Sequence, residues 1–162
     1  MTGAHNTGSA SLWLVCAVAI CGARAVAAVQ APGPSASGIV VRDAWVREST
    51  ATRTVSSGYM TIENRTAHEA TLVGVTVAGA KRAELHTFVQ EHGQGSMQAV
   101  AGVRIPARSS VALEPGGTHI MLFDVAPPFV RGRAVTMRFT FGDRHTQTIR
   151  AVVRPLNATS AR

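Results

Sequence analysis

The chain has 162 residues, with fifteen arginines and one lysine against nine acids and a formal net charge of +7. That length fits one domain and not comfortably two. The arginines stand singly, at Arg42, Arg47, Arg53, Arg65, Arg104, Arg131, Arg138, Arg144 and Arg150; a nucleic-acid surface needs them clustered and interleaved with aromatic platforms, so the charge reads as solvated strand faces and loop ends that can steer an acidic partner.

The first element lies outside the fold. Leu12 to Ile20 is an apolar run followed by small residues from Gly22 to Ala28, and Ala25-Val26-Ala27 fits the small-x-small cleavage rule. Residues 1–27 therefore read as a signal peptide, although only His5 supplies a basic group ahead of the run. The run is too short to span a bilayer. The expected location is periplasmic. Both cysteines, Cys16 and Cys21, sit in this segment. Lipid anchoring through Cys21 is the alternative, with Ile20 standing where the attachment motif wants a small residue. Cleavage before Ala28 leaves a chain without cysteine, whose stability must come from a packed core rather than a disulfide; about 135 residues suffice.

Residues 28–38 are rich in Ala, Pro, Gly and Ser and read as a flexible linker. From Ile39 onward, short β segments alternate with turn residues. They are expected near Val40–Trp45, Ser57–Glu63, Ala70–Val77, Ala83–Val89, Met97–Val103, Ser110–Leu113, Thr118–Val125, Ala134–Phe141 and Thr146–Val153. No window carries helical periodicity over three turns. Many short strands at near-regular spacing predict a single all-β sandwich or barrel over residues 39–154, with residues 155–162 as a disordered tail.

The chemistry concentrates in His86, Met97, His119 and Met121, spaced His-x10-Met-x21-His-x-Met. Imidazole and thioether form a soft, uncharged donor set that suits Cu(I) better than a hard or borderline divalent ion. His119 and Met121 are two apart on one expected strand and leave the same face. His86 and Met97 flank a turn centred between Glu91 and His92, a register that sets them opposite each other. Met60 and Met137 lie in alternating apolar strands and read as core fillers. His68, His92 and His145 read as ordinary loop histidines.

The surrounding residues extend the pattern. Pro115-Gly116-Gly117-Thr118-His119-Ile120-Met121-Leu122, Glu84-Leu85-His86, Ala44-Trp45 and Gly58-Tyr59 together resemble the PCuAC family of periplasmic copper chaperones, over roughly residues 40–152. The resemblance implies a cupredoxin-like Greek-key β-sandwich with an exposed Cu(I) site. It also implies delivery of copper to the dinuclear centre of cytochrome c oxidase subunit II, directly or through another copper chaperone. The chain departs from the family at Thr87, where Met is frequent, at Gly95, where the first of two methionines stands, and in lacking a His- and Met-rich C-terminal extension.

Other chemistries fit less well. A blue-copper centre needs a Cys thiolate, which the cleaved chain lacks. A zinc site built on His86, His119 and Glu84 leaves both methionines without a role. No nucleophile elbow or catalytic carboxylate pair is present. The sequence thus predicts a monomeric Cu(I) carrier rather than an enzyme, with a copper scavenger lacking an oxidase partner as the alternative.

Overall fold

The computed structural model describes residues 38–91 and 94–159; the expected signal peptide, nearly all of the linker, and His92 lie outside these residues. Among the described residues ten strands follow one another: β1 (Ile39–Arg47), β2 (Ser56–Asn64), β3 (Ala70–Val77), β4 (Ala80–Glu91), β5 (Gln94–Ala99), β6 (Val103–Ile105), β7 (Ser109–Leu113), β8 (His119–Val125), β9 (Ala134–Phe141) and β10 (Thr146–Arg154). They join in the hydrogen-bonded order β5-β4-β8-β2-β1-β10-β9-β3-β6, with β7 pairing β2 off this path. β1 and β10 run parallel, Trp45 opposite Val152; the other pairings are antiparallel. The all-β class expected from the strand spacing is what the chain adopts.

Alternation places one face of the strands in a single core. Ile62 and Met60 of β2, Leu72 of β3, Ile120 and Leu122 of β8, Met137 and Phe139 of β9 and Val153 of β10 are all buried there. The two methionines expected as core fillers are 2% and 0% exposed.

β1 changes phase part-way along. Ile39 and Val41 face the core before the break, Val46 after it. The switch is a register shift between Arg42 and Trp45, with Asp43 at a φ of 54°. A bulge inserts one residue and reverses which side chains point inward. Trp45 is thereby turned to the outer face, beside Tyr59.

Two expectations change. The single strand expected over Met97–Val103 is two: β5 pairs β4, β6 pairs β3, and residues 100–102 carry the chain between these ends of the sheet path. Gly102 permits the crossing, because a Cβ there would lie 2.8 Å from the Leu72 carbonyl oxygen. The expected disordered tail is fastened over residues 155–159. Leu156 donates its N–H to Glu48 Oε1 at 3.0 Å, and Arg47 donates to the Ala158 carbonyl at 3.3 Å.

A buried amide ties β2 to β6. Asn64 is 1% exposed; its Nδ2 donates to the His68 and Ile105 carbonyls, and its Oδ1 accepts from the Thr66 N–H and hydroxyl. Removing it orphans polar groups in the interior. Asn64→Ala is expected to lower unfolding free energy by about 2–4 kcal/mol in urea denaturation. Asn64→Asp, which cannot donate to either carbonyl, is expected to be no better.

Candidate metal centre

The β4–β8 pairing sets His86 directly opposite His119 and Glu84 opposite Met121. Opposed residues on one face hold their Cβ atoms about 4.5–5.5 Å apart, and diagonal ones about 7–8 Å. Met121 is therefore diagonal to His86. All three project from the outer face, because Ile120 and Leu122 between and beyond them face the core.

Met97 occupies a different place from the one its spacing predicts. The β4–β5 hairpin pairs Met97 with Phe88 and His86 with Ala99, not His86 with Met97. Glu91 pairs with Gln94, so the register is centred one residue later than the symmetric spacing implies. A shift of two positions preserves the face, so Met97 shares the site's face but lies diagonal to His86. Met97 and Met121 fall on opposite diagonals, two strands and four positions apart, on the order of 15 Å between Cα atoms before sheet twist. The compact part of the site is His86, His119 and Met121. Met97 stands at its rim, 39% exposed against 8% for His119.

Each imidazole is oriented by an acceptor. His119 Nδ1 lies 3.0 Å from the Gly117 carbonyl; a carbonyl only accepts, so Nδ1 carries the proton and Nε2 keeps its lone pair. The turn before β8 sets that carbonyl. Pro115 and Gly116 are its central residues, Gly116 has a φ of 84°, and Gly117 donates its N–H to the Glu114 carbonyl at 3.1 Å, an arrangement that calls for glycine at the second central position. His86 Nε2 lies 3.0 Å from Glu84 Oε2, leaving Nδ1 buried and without a hydrogen-bond partner among the described residues. A buried imidazole nitrogen with a free lone pair fits a metal ion, and outer carboxylate and carbonyl partners of this kind hold ligand histidines in place.

Charge around the site follows from these contacts. The hydrogen bond from His86 holds the Glu84 carboxyl below the usual glutamate range, with Arg82 adding to the effect. Arg82 Nε is 3.3 Å from Glu84 Oε1, and its guanidinium also lies over the Phe123 ring at 4.4 Å. A lowered carboxyl adds stability above the ordinary range and loses it as pH falls through the lowered value.

An aromatic layer backs the second histidine. Tyr59 lies 5.9 Å from the His119 ring, and Trp45 lies 4.3 Å from Tyr59, centroid to centroid. Arg47 covers Tyr59 and Arg154 covers Trp45. Thr87 turns to the other face of β4, where its hydroxyl meets that of Thr118 at 3.0 Å. It thereby locks the register that opposes the histidines. Tyr59 and Trp45 were visible in the sequence only through resemblance, since the bulge that aims Trp45 leaves no periodic trace. Among the described residues no three His, Cys, Asp or Glu side chains converge to hold a metal.

A family model described as LpqE-like matches residues 39–153. The chain belongs to the LpqE-like family. The family's description proposes a lipoprotein, as does the name of a relative, Lxx21020 of Leifsonia xyli subsp. xyli. That relative is 34% identical over 135 residues, 83% of this chain and 80% of its own length. Among solved structures, the fold is that of PCuAC domains. The solution structure of CuI-DR1885 from Deinococcus radiodurans is 25% identical, with a TM-score of 0.59 over 78% of this chain and 85% of that one. The apo form of the same protein has a TM-score of 0.61 at 25% identity, over 95% and 97%. The copper-bound PCuAC domain from PmoF2 has a TM-score of 0.62 at 24% identity, over 73% and 93%. The LpqE-like chain therefore has the PCuAC-type fold expected from its residues.

The two imidazoles are expected to hold opposite tautomers, His119 protonated at Nδ1 and His86 at Nε2, which nitrogen NMR of the metal-free protein reads directly. A carboxyl-carbon titration is expected to place Glu84 below the other glutamates, and His86→Ala to return it toward their range. Equal tautomers, or no response of Glu84 to His86→Ala, would count against the arrangement.

Proposed function

We propose that this LpqE-like protein is an extracytoplasmic Cu(I) carrier, with copper held by His86, His119 and Met121 and exchanged through Met97. The observation that carries the reading is the pair of opposed histidines, each with one nitrogen committed to an acceptor and the other left for a metal, beside a thioether on the same face. Neutral nitrogen and thioether donors match Cu(I) and offer little to Mg, Ca or Mn. The similar structures of CuI-DR1885 and copper-bound PmoF2 contain copper, which supports the same cargo here.

The arrangement explains how copper is both kept and released. His119 is nearly enclosed and His86 is little exposed, so they form the retained half of the site. Met97 is on an exposed strand and is the donor through which the ion meets an incoming ligand. Thioethers add no charge to Cu(I), so an anionic, softer thiolate acceptor draws the ion away downhill. No bond of a substrate is made or broken, and the function is carriage rather than catalysis. We place the protein in the cell envelope, in keeping with the family's description as a proposed lipoprotein, and take the two-cysteine copper centre of cytochrome c oxidase as its recipient.

Competition with a Cu(I) chelator is expected to give one ion per chain. His119→Ala and Met121→Ala should each weaken binding strongly, Met97→Ala less, and Glu84→Ala by about tenfold or more through loss of the His86 orienter. Unchanged affinity in both His119→Ala and Met121→Ala would sink the site. For the recipient, deleting the gene is expected to lower oxidase activity in copper-limited growth, with rescue by added copper or the wild-type gene but not by His86→Ala, His119→Ala. Normal oxidase activity with reduced envelope copper would point to a scavenger instead.

A further inference from the structure

The two ends of the sheet path are built differently. At one end β6 has three residues, Arg104 at its centre and Pro106 just beyond it. Shortness, charge and proline are the devices by which sheet edges refuse another strand. At the other end β5 has six residues, Gln-Gly-Ser-Met-Gln-Ala, with neither charge nor proline, exposed along its whole length. It pairs with β4 without a bulge. The unprotected end is the one that carries Met97.

The polarity of that edge can be read from one bond. Val100 donates its N–H to the Leu85 carbonyl at 2.9 Å. Antiparallel pairs alternate between bonded and non-bonded positions, so Gln98 and Ser96 turn their backbone groups to β4, while Ala99, Met97 and Gly95 turn theirs outward. These three outward residues are spaced symmetrically about Met97.

We infer that the β5 edge pairs with the β5 edge of a second copy of this chain, antiparallel about Met97, and that copper passes between copies through the two Met97 thioethers. The inference rests on the Cu(I) reading above. In this register Met97 meets its symmetry mate and Gly95 meets Ala99, and every outward backbone group finds a partner. The two-fold axis is normal to the sheet, so both copper faces lie on the same side, with the two Met97 Cβ atoms about 4.5–5.5 Å apart. In a chain of formal charge +7, an uncharged strand is where two copies approach with little repulsion. Phe88, 48% exposed, lies over Gly95 beside Met97 and adds apolar contact at the seam. Six-residue strands bury far less than the roughly 1,200 Å² of a stable interface. The pairing is therefore an encounter, and the chain at rest is a monomer. In the exchange, the ion moves from the donor's His86, His119 and Met121 to its Met97, the incoming Met97 thioether bonds Cu(I) before the donor's Met97 bond breaks, and the acceptor's His86, His119 and Met121 then take the ion over; the ion keeps its oxidation state and no proton moves.

The test mixes nitrogen-15-labelled apo protein with unlabelled Cu(I)-loaded protein without oxygen and follows the labelled spectrum. The exchange rate is expected to rise in proportion to total protein. The double variant Ser96→Lys, Gln98→Lys sets lysine opposite lysine across the two-fold axis, on the face away from copper. It is expected to slow exchange at least tenfold at low salt and to recover at high salt, while its Cu(I) affinity by chelator competition matches wild type. Recovery with salt separates repulsion between copies from damage to the hairpin. A rate independent of protein concentration, or wild-type exchange in the lysine variant, overturns the inference while leaving the carrier reading intact. Absence of Cu(I) binding in the chelator competition overturns the carrier reading itself.

Discussion

The β4–β8 register is the constraint on which the site depends. Sliding one strand by a single residue would turn His86 inward and bring Leu85 to the surface, because the side-chain period of a strand is two. Leu85, Ile120 and Leu122 in the core hold the pair against that slip. The hydroxyl contact between Thr87 and Thr118 fixes the same register on that same face, two residues further along. Hydrophobic burial on one side of these two strands thus determines donor geometry on the other.

Both histidines are also set by local chemistry rather than by the sheet alone. The turn through Pro115 and Gly116 delivers the Gly117 carbonyl to His119, and Glu84 reaches back two residues along β4 to His86. One orienter is a neutral backbone group and the other a charged side chain. The His86 side therefore responds to its electrostatic surroundings, Arg82 included, in a way the His119 side does not. The aromatic layer of Tyr59 and Trp45 excludes water behind His119 and makes that imidazole the enclosed end of the site.

Exposure rises from His119 through His86 to Met97, and in the proposed carrier this gradient would give the site its direction. A carrier must bind firmly and release readily. In the proposed carrier a buried imidazole and a rim thioether divide those tasks between different residues. The same edge strand that exposes Met97 lacks the charges and prolines that close the sheet's other end, so the proposed route of ligand exchange and the open edge coincide.

The sequence by itself determined the fold class and singled out the candidate donors. Period-two alternation announced an all-β domain, since burying one face of each strand leaves that mark wherever it occurs. The four His and Met positions and the Pro-Gly-Gly turn were legible as residue types at fixed spacing, and Met60 and Met137 as core. The tertiary structure alone decided how these candidate residues are arranged. Hairpin register depends on where the loop closes, so the residues either side of His92 did not reveal that Met97 would face Phe88. The split of β5 from β6 depends on Gly102 passing beneath a carbonyl contributed by β3, and the outward turn of Trp45 on a bulge at Asp43. Neither leaves a periodic trace, because both are settled by pairing with strands distant in the chain.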